Sequence, residues 1–108
     1  MTLKERQRIA KDRFAKCAKL LMTKGKDYAG DQDALSNFKG IAHRLGISKY
    51  QVWSVYFMKH VRAIINSIKA NPENPQVESE PLEERITDVI NYAVLLEALL
   101  KKKPCSVK

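Results

Sequence analysis

At 108 residues the chain is long enough for one domain with a modest core. No apolar run approaches the ~20 residues a membrane helix requires, and the charged opening MTLKERQRIAK has none of the apolar centre of a secretory signal, so no membrane partner and a cytoplasmic location are expected. The net charge of +8 is concentrated in residues 1–26, where nine Lys and Arg face two acids, and such a basic segment suits phosphates, nucleic acid or an acidic partner as well as plain solvation.

In chain order, residues 3 to 24 form the first expected helix. Ala10, Phe14, Cys17, Ala18 and Leu21 recur at helical spacing, with basic side chains on the other face. Cys17 on that stripe reads as a small core residue, whereas Cys105 lies in a tail, and the two share no metal-ligand spacing. KGKDYAGDQDA carries two glycines and three aspartates and predicts a loop. A second helix is expected from Ala34 to Leu45, ended by Gly46, with Ser48 capping a third that runs to about Lys69. Tyr50, Trp53, Phe57, Val61, Ile64 and Ile68 give the third helix a broad apolar stripe. NPENPQVESEP predicts a loop between antiparallel helices, and the last helix is expected from Leu82 to near Lys103, before Pro104.

That last helix, EERITDVINYAVLLEALL, is apolar almost all round, with Ile86, Ile90, Ala93 and Leu100 on one side. Only Glu83, Thr87 and Lys101 mark an ordinary wet strip, so Glu84, Asp88 and Asn91 are expected in or beside a packed interior. Buried carboxylates are costly unless they meet cations, donors or a metal. The expectation is an all-α, four-helix single domain over 1–108, with its core about 3–102 and a tail at 103–108. The apolar excess on the third and fourth helices implies completion by homo-oligomerisation.

Several groups carry chemistry. In KGKDYAG, Lys26 suits a phosphate, Asp27 a metal or a base, and Tyr28 a stacked nucleobase; the same residues also suit a helix-ending loop with a packed tyrosine. Asn37 beside Phe38 suits a cap or a polar ligand edge. Lys59, Arg62 and Asn66 share one face of the third helix, fitted to a phosphate or to the carboxylates of the fourth. His60 borders the apolar side with no second histidine at ligand spacing, His43 is equally isolated, and both read as structural. Glu84 and Asp88, four apart, suit Mg²⁺ or a salt-bridge network to Lys59 and Arg62. IAHRLGISKYQVW also has helix-turn-helix spacing, with Ala42, Gly46 and Val52 at the small, turning and core positions. The helix after that turn is very apolar for a major-groove face, and only Gln51 is placed to read a base.

The blocks KGKDYAG, LSNF, KHVRAI, SEP and ERITDVINYA, in that order over residues 14–100, resemble phage and prophage proteins of the nucleotide-modification-associated domain type. The resemblance implies a helical protein of the host cytoplasm tied to nucleotide or DNA-modification metabolism. Its site would comprise Asp27, Tyr28, Asn37, Lys59, Arg62, Asp88, Asn91 and Tyr92. A looser likeness is to the MazG-type all-α nucleoside triphosphate pyrophosphohydrolases, which hold Mg²⁺ on paired acidic motifs. Arg85 stands where that family would place an acid, and the second and third helices carry almost no Asp or Glu, which weighs toward binding rather than hydrolysis. Three functions follow as expectations: a nucleotide-binding protein, with Mg²⁺-dependent processing of its ligand as one form of it, a non-catalytic protein that sequesters a nucleotide signal from host defence, and a helix-turn-helix DNA-binding regulator.

Overall fold

The chain enters its first helix through a capping box. Thr2 Oγ1 accepts the Glu5 N–H at 3.1 Å and Glu5 Oε2 accepts the Thr2 N–H at 2.8 Å, which satisfies two donors that a helix start leaves open. In the computed structural model, which describes residues 1–29, 35–75 and 81–101 with the side chains of 24–29 excepted, this helix, α1, spans Leu3–Ala29. The loop expected from Lys24 is therefore corrected: the helix passes through Gly25 and ends five residues later than composition suggests. A glycine inside a helix costs about 1 kcal/mol relative to alanine. Lengthening an existing helix is far easier than nucleating one, so one glycine does not stop it.

α2 spans Ser36–Leu45, two residues later than the expected start at Ala34, and α3 spans Lys49–Ala70. Between them Gly46 takes the left-handed conformation (φ 69°), and the Ile47 N–H reaches back to the Ala42 carbonyl at 3.1 Å. This is a Schellman closure, in which only glycine takes the turn without a Cβ penalty. Ser48 caps α3 as expected. Its side chain accepts the Gln51 N–H at 3.1 Å while Gln51 Oε1 accepts the Ser48 N–H at 2.8 Å. α4 spans Leu82–Lys101.

The contacts fix the topology. Tyr50 Oη lies 3.5 Å from the Leu99 carbonyl, Trp53 Nε1 donates to the Tyr92 carbonyl at 2.6 Å, and His60 meets Asp88, so α3 and α4 run antiparallel. Arg13 meets Glu83 and Thr87 while Cys17 meets Thr87, so α1 runs parallel to α4 on another side. α2 covers the end of the α3–α4 pair. There Leu35, Phe38, Ala42, Val52 and Leu99 form the buried core, flanked by Trp53, Tyr56, Tyr92 and Leu95. Phe38 meets Tyr56 and Tyr92 edge-on, with ring centroids 6.3 and 6.2 Å apart.

The inward face of α4 differs from the one its pattern suggests. Thr87, expected on the wet strip, is buried together with Asn91 and Leu99, whereas Ile86, Ala93 and Leu100 face outward. Arg13 explains the burial of Thr87: its guanidinium donates to Thr87 Oγ1 at 2.7 Å, and the same hydroxyl donates to the Glu83 carbonyl at 3.1 Å. A hydroxyl with both roles filled is no longer expensive to bury. The domain is all-α, with four helices among the described residues, and none of them is long and apolar enough to cross a membrane. Its radius of gyration, 16.4 Å, exceeds the ~13 Å of a compact chain of this length.

Candidate anion-binding groove

Four positions of α3, Val55, Lys59, Arg62 and Asn66, recur at helical spacing and line a groove of about 700 Å³ that α4 closes with Arg85. Lys59, Arg62 and Arg85 bring three cations to it. Ser54 and Asn66 add hydrogen-bonding groups, while Val55, Met58 and Ala63 supply apolar surface. Neither Lys59 nor Arg62 pairs with a carboxylate among the described residues, so the salt-bridge network expected from Glu84 and Asp88 to these two cations is not formed there. Cations left to solvent on a groove wall are available to an anion, and the guanidinium fork matches two phosphate oxygens at once.

Asp88 instead meets His60, with Nδ1 3.4 Å from Oδ2 and both side chains largely buried. Arg85 approaches the same nitrogen at 3.5 Å. One ring nitrogen either donates its proton to the carboxylate or accepts from the guanidinium, so His60 selects between two partners. The Tyr92 ring lies 5.0 Å from the imidazole and packs among Phe38 and Tyr56. His60, read from sequence as isolated, is thus the centre of a cluster with Arg85, Asp88 and Tyr92. The spacing of Arg85, Asp88 and Tyr92 at i, i+3 and i+7 on α4 is the signal that links three of the four.

Glu84 and Asp88, the expected Mg²⁺ pair, border a second groove of about 590 Å³ between α1 and α4. Arg13, Lys16 and Lys19 line the same groove, so these carboxylates face three cations of their own. The structure thereby separates the carboxylate pair from Lys59 and Arg62, with Asp88 standing between the two grooves. No group of three or more metal-ligating side chains gathers among the described residues.

The other sequence candidates are dispersed. Asn37 is exposed on the first turn of α2 and lines neither groove. Asn91 is buried at 6% exposure, and its Oδ1 finds no hydrogen-bond partner, a penalty of about 1–3 kcal/mol. The side chains of Lys26, Asp27 and Tyr28 lie outside the described residues. The helix-turn-helix spacing is met in part, since Ala42 and Val52 are buried around the Gly46 turn. Gln51, the one base reader expected there, spends its carbonyl oxygen on the cap of α3. No protein-family model, no curated protein and no solved structure matches the chain.

Proposed function

We propose that this chain is a nucleotide-binding protein that holds the phosphates of its ligand with Lys59, Arg62 and Arg85 in the groove along α3. The observation that carries the reading is the convergence of these three cations, two of them without a described carboxylate partner, beside the apolar surface of Val55 and Met58. A nucleotide divides its surface in the same way, with phosphates at one end and a flat, largely apolar base at the other. Ser54 and Asn66 then hydrogen-bond sugar or base. Glu84 and Asp88, the Mg²⁺ pair expected from sequence, line the separate groove between α1 and α4, so any Mg²⁺ on them stands apart from this phosphate site.

The order of the sequence blocks supports placing this activity in phage-type nucleotide or DNA-modification metabolism in a host cytoplasm, with the chain acting as a homo-oligomer. The same groove serves either a processing enzyme or a protein that sequesters a nucleotide signal. Native mass spectrometry of the purified protein, followed by denaturation and identification of the released molecule, tests the reading. A nucleotide is expected; a converted product marks processing and an unchanged ligand marks sequestration. With nucleoside triphosphates added by titration, Lys59→Ala and Arg62→Ala are each expected to weaken binding by tenfold or more, because a charge-assisted hydrogen bond contributes about 1.5–3 kcal/mol. Binding within twofold of the parent in both variants overturns the site.

A second reading, duplex DNA binding through Ser48 to Phe57, draws on the turn geometry at Gly46. It predicts salt-dependent binding that falls when Lys49 and Gln51 are replaced; binding that survives those changes counts against it.

A further inference from the structure

We propose that the ligand of the groove along α3 is a dinucleotide, two nucleosides joined through internal phosphates. The phosphates sit at the middle of the groove and one nucleoside lies toward each end. The proposal rests on the nucleotide reading above and names the class of nucleotide. Side chains follow a definite order along α3. Ser54 and Val55 stand at one end of the lining, Asn66 at the other, and Lys59 and Arg62 between them. At 1.5 Å per residue the lining runs about 18 Å from Ser54 to Asn66, with Lys59 about 7.5 Å from the first and Arg62 about 6 Å from the second. Arg85 joins these two cations at the same level. The contacts of Tyr50 with Leu99, Trp53 with Tyr92 and His60 with Asp88 set the antiparallel register of α3 and α4. That register brings the Arg85 guanidinium 3.5 Å from His60 Nδ1, and His60 falls between Lys59 and Arg62 in the chain. The three cations therefore meet at the middle of the groove, and no other cation stands at either end among the described residues that line it.

A mononucleotide carries its phosphates at one terminus. Seated on central cations, it fills one half of the groove with its base and leaves the other half to water. A dinucleotide carries its phosphates inside, and both halves of this groove are furnished for a nucleoside. On one side Val55 is 66% exposed and Met58 51%, an apolar surface that the described chain does not cover. A polarisable thioether beside branched methyls suits the face of a base. Ser54 next to them donates its proton to the Gln51 carbonyl at 2.7 Å, so its oxygen is left to accept from a base N–H or a sugar hydroxyl. On the other side Ala63 contributes only a methyl group, and the Asn66 amide offers both a donor and an acceptor to a base edge. The volume of about 700 Å³ agrees, since it lies in the upper half of the ~300–1,000 Å³ span of small-molecule sites.

Isothermal titration calorimetry at one fixed salt concentration tests the proposal with matched probes: ADP against diadenosine diphosphate, and GDP against diguanosine diphosphate. Each pair shares a nucleoside and two phosphates and differs by the second nucleoside, while the mononucleotide bears the greater negative charge. In at least one series the dinucleotide is expected to bind tenfold or more tightly, against the order that charge alone gives. Val55→Asp and Asn66→Ala are each expected to weaken dinucleotide binding threefold or more. Helical circular dichroism should remain native in both, since both side chains are exposed. Equal affinity within each pair, lost in Lys59→Ala, overturns the dinucleotide and leaves the phosphate groove standing. Binding of none of the four probes overturns both. A single-stranded oligonucleotide that binds more tightly than the dinucleotide overturns the proposal and reassigns the groove to nucleic acid.

Discussion

Leu99→Ala is the most direct test of how this small core is held. Leu99 is the one large side chain with no solvent exposure among the described residues, and it sits where α2 closes over the α3–α4 pair. Truncation removes its transfer free energy and leaves a cavity, so the cost depends on whether the neighbours can move in. Phe38 is pinned by edge contacts to both Tyr56 and Tyr92. Val52 is stiff at χ1 in a helix, and Ala42 has no side chain to extend. The cavity therefore persists, and the expected loss lies in the upper half of the 2–5 kcal/mol range for Leu→Ala, at about 3.5 kcal/mol. For a domain this size that is a third or more of a stability of about 5–10 kcal/mol. At a urea m-value of about 1.5 kcal/mol/M it lowers the midpoint by about 2 M. Trp53 packs against the same cluster and donates to the Tyr92 carbonyl, so its emission and the helical circular dichroism should shift together. Both proteins are compared at one concentration, because assembly changes apparent stability. A loss below 1 kcal/mol would falsify the assignment of Leu99 as the centre of the core.

Two further outcomes follow from named contacts. Ser48→Ala removes the acceptor of the Gln51 N–H and should destabilise the protein by about 1 kcal/mol in urea unfolding, whereas Ser48→Asp should be nearly neutral; equal losses in both variants would show that the cap is not the cause. Thr87→Val keeps the volume but leaves the Arg13 guanidinium without its acceptor at the α1–α4 junction. An expected loss of about 1.5–3 kcal/mol should come with faster hydrogen exchange in α1, and an unchanged exchange rate would show that the junction does not depend on this bond.

Local chemistry made much of the fold readable in advance. Ser48, Gly46 and the Pro-rich stretch from Asn71 each act within a few residues, and the ends they imply for α2, α3 and α4 fall within two residues of those observed. The start of α1 was equally readable, since its apolar periodicity begins at Leu3 as observed. The end of α1 was not, because one glycine and nearby aspartates weigh against a helix less than the turns already formed weigh for it. The orientation of α4 was not readable either. With apolar residues on nearly every side, periodicity cannot choose a face, and the choice falls to Arg13, a residue seventy-four positions away that makes Thr87 cheap to bury. The site follows the same division. Lys59, Arg62 and Asn66 share a face by helical spacing alone, and they line one groove. That Arg85 completes the groove, and that Asp88 meets His60 rather than Lys59 or Arg62, depends on the register between α3 and α4, which no single segment encodes.

The placement of Cys17 makes the α1–α4 seam measurable by thiol chemistry. Cys17 is 4% exposed and its sulfur lies 4.0 Å from the Thr87 carbonyl, so a maleimide or iodoacetamide molecule reaches it only after the two helices part. The alkylation rate at this position, resolved by peptide mass spectrometry from that of Cys105, is then a clock on the opening of the seam, and its ratio to the rate of a free thiol gives the opening free energy. A ligand or partner copy that clamps α1 in place will slow that clock without touching the cysteine.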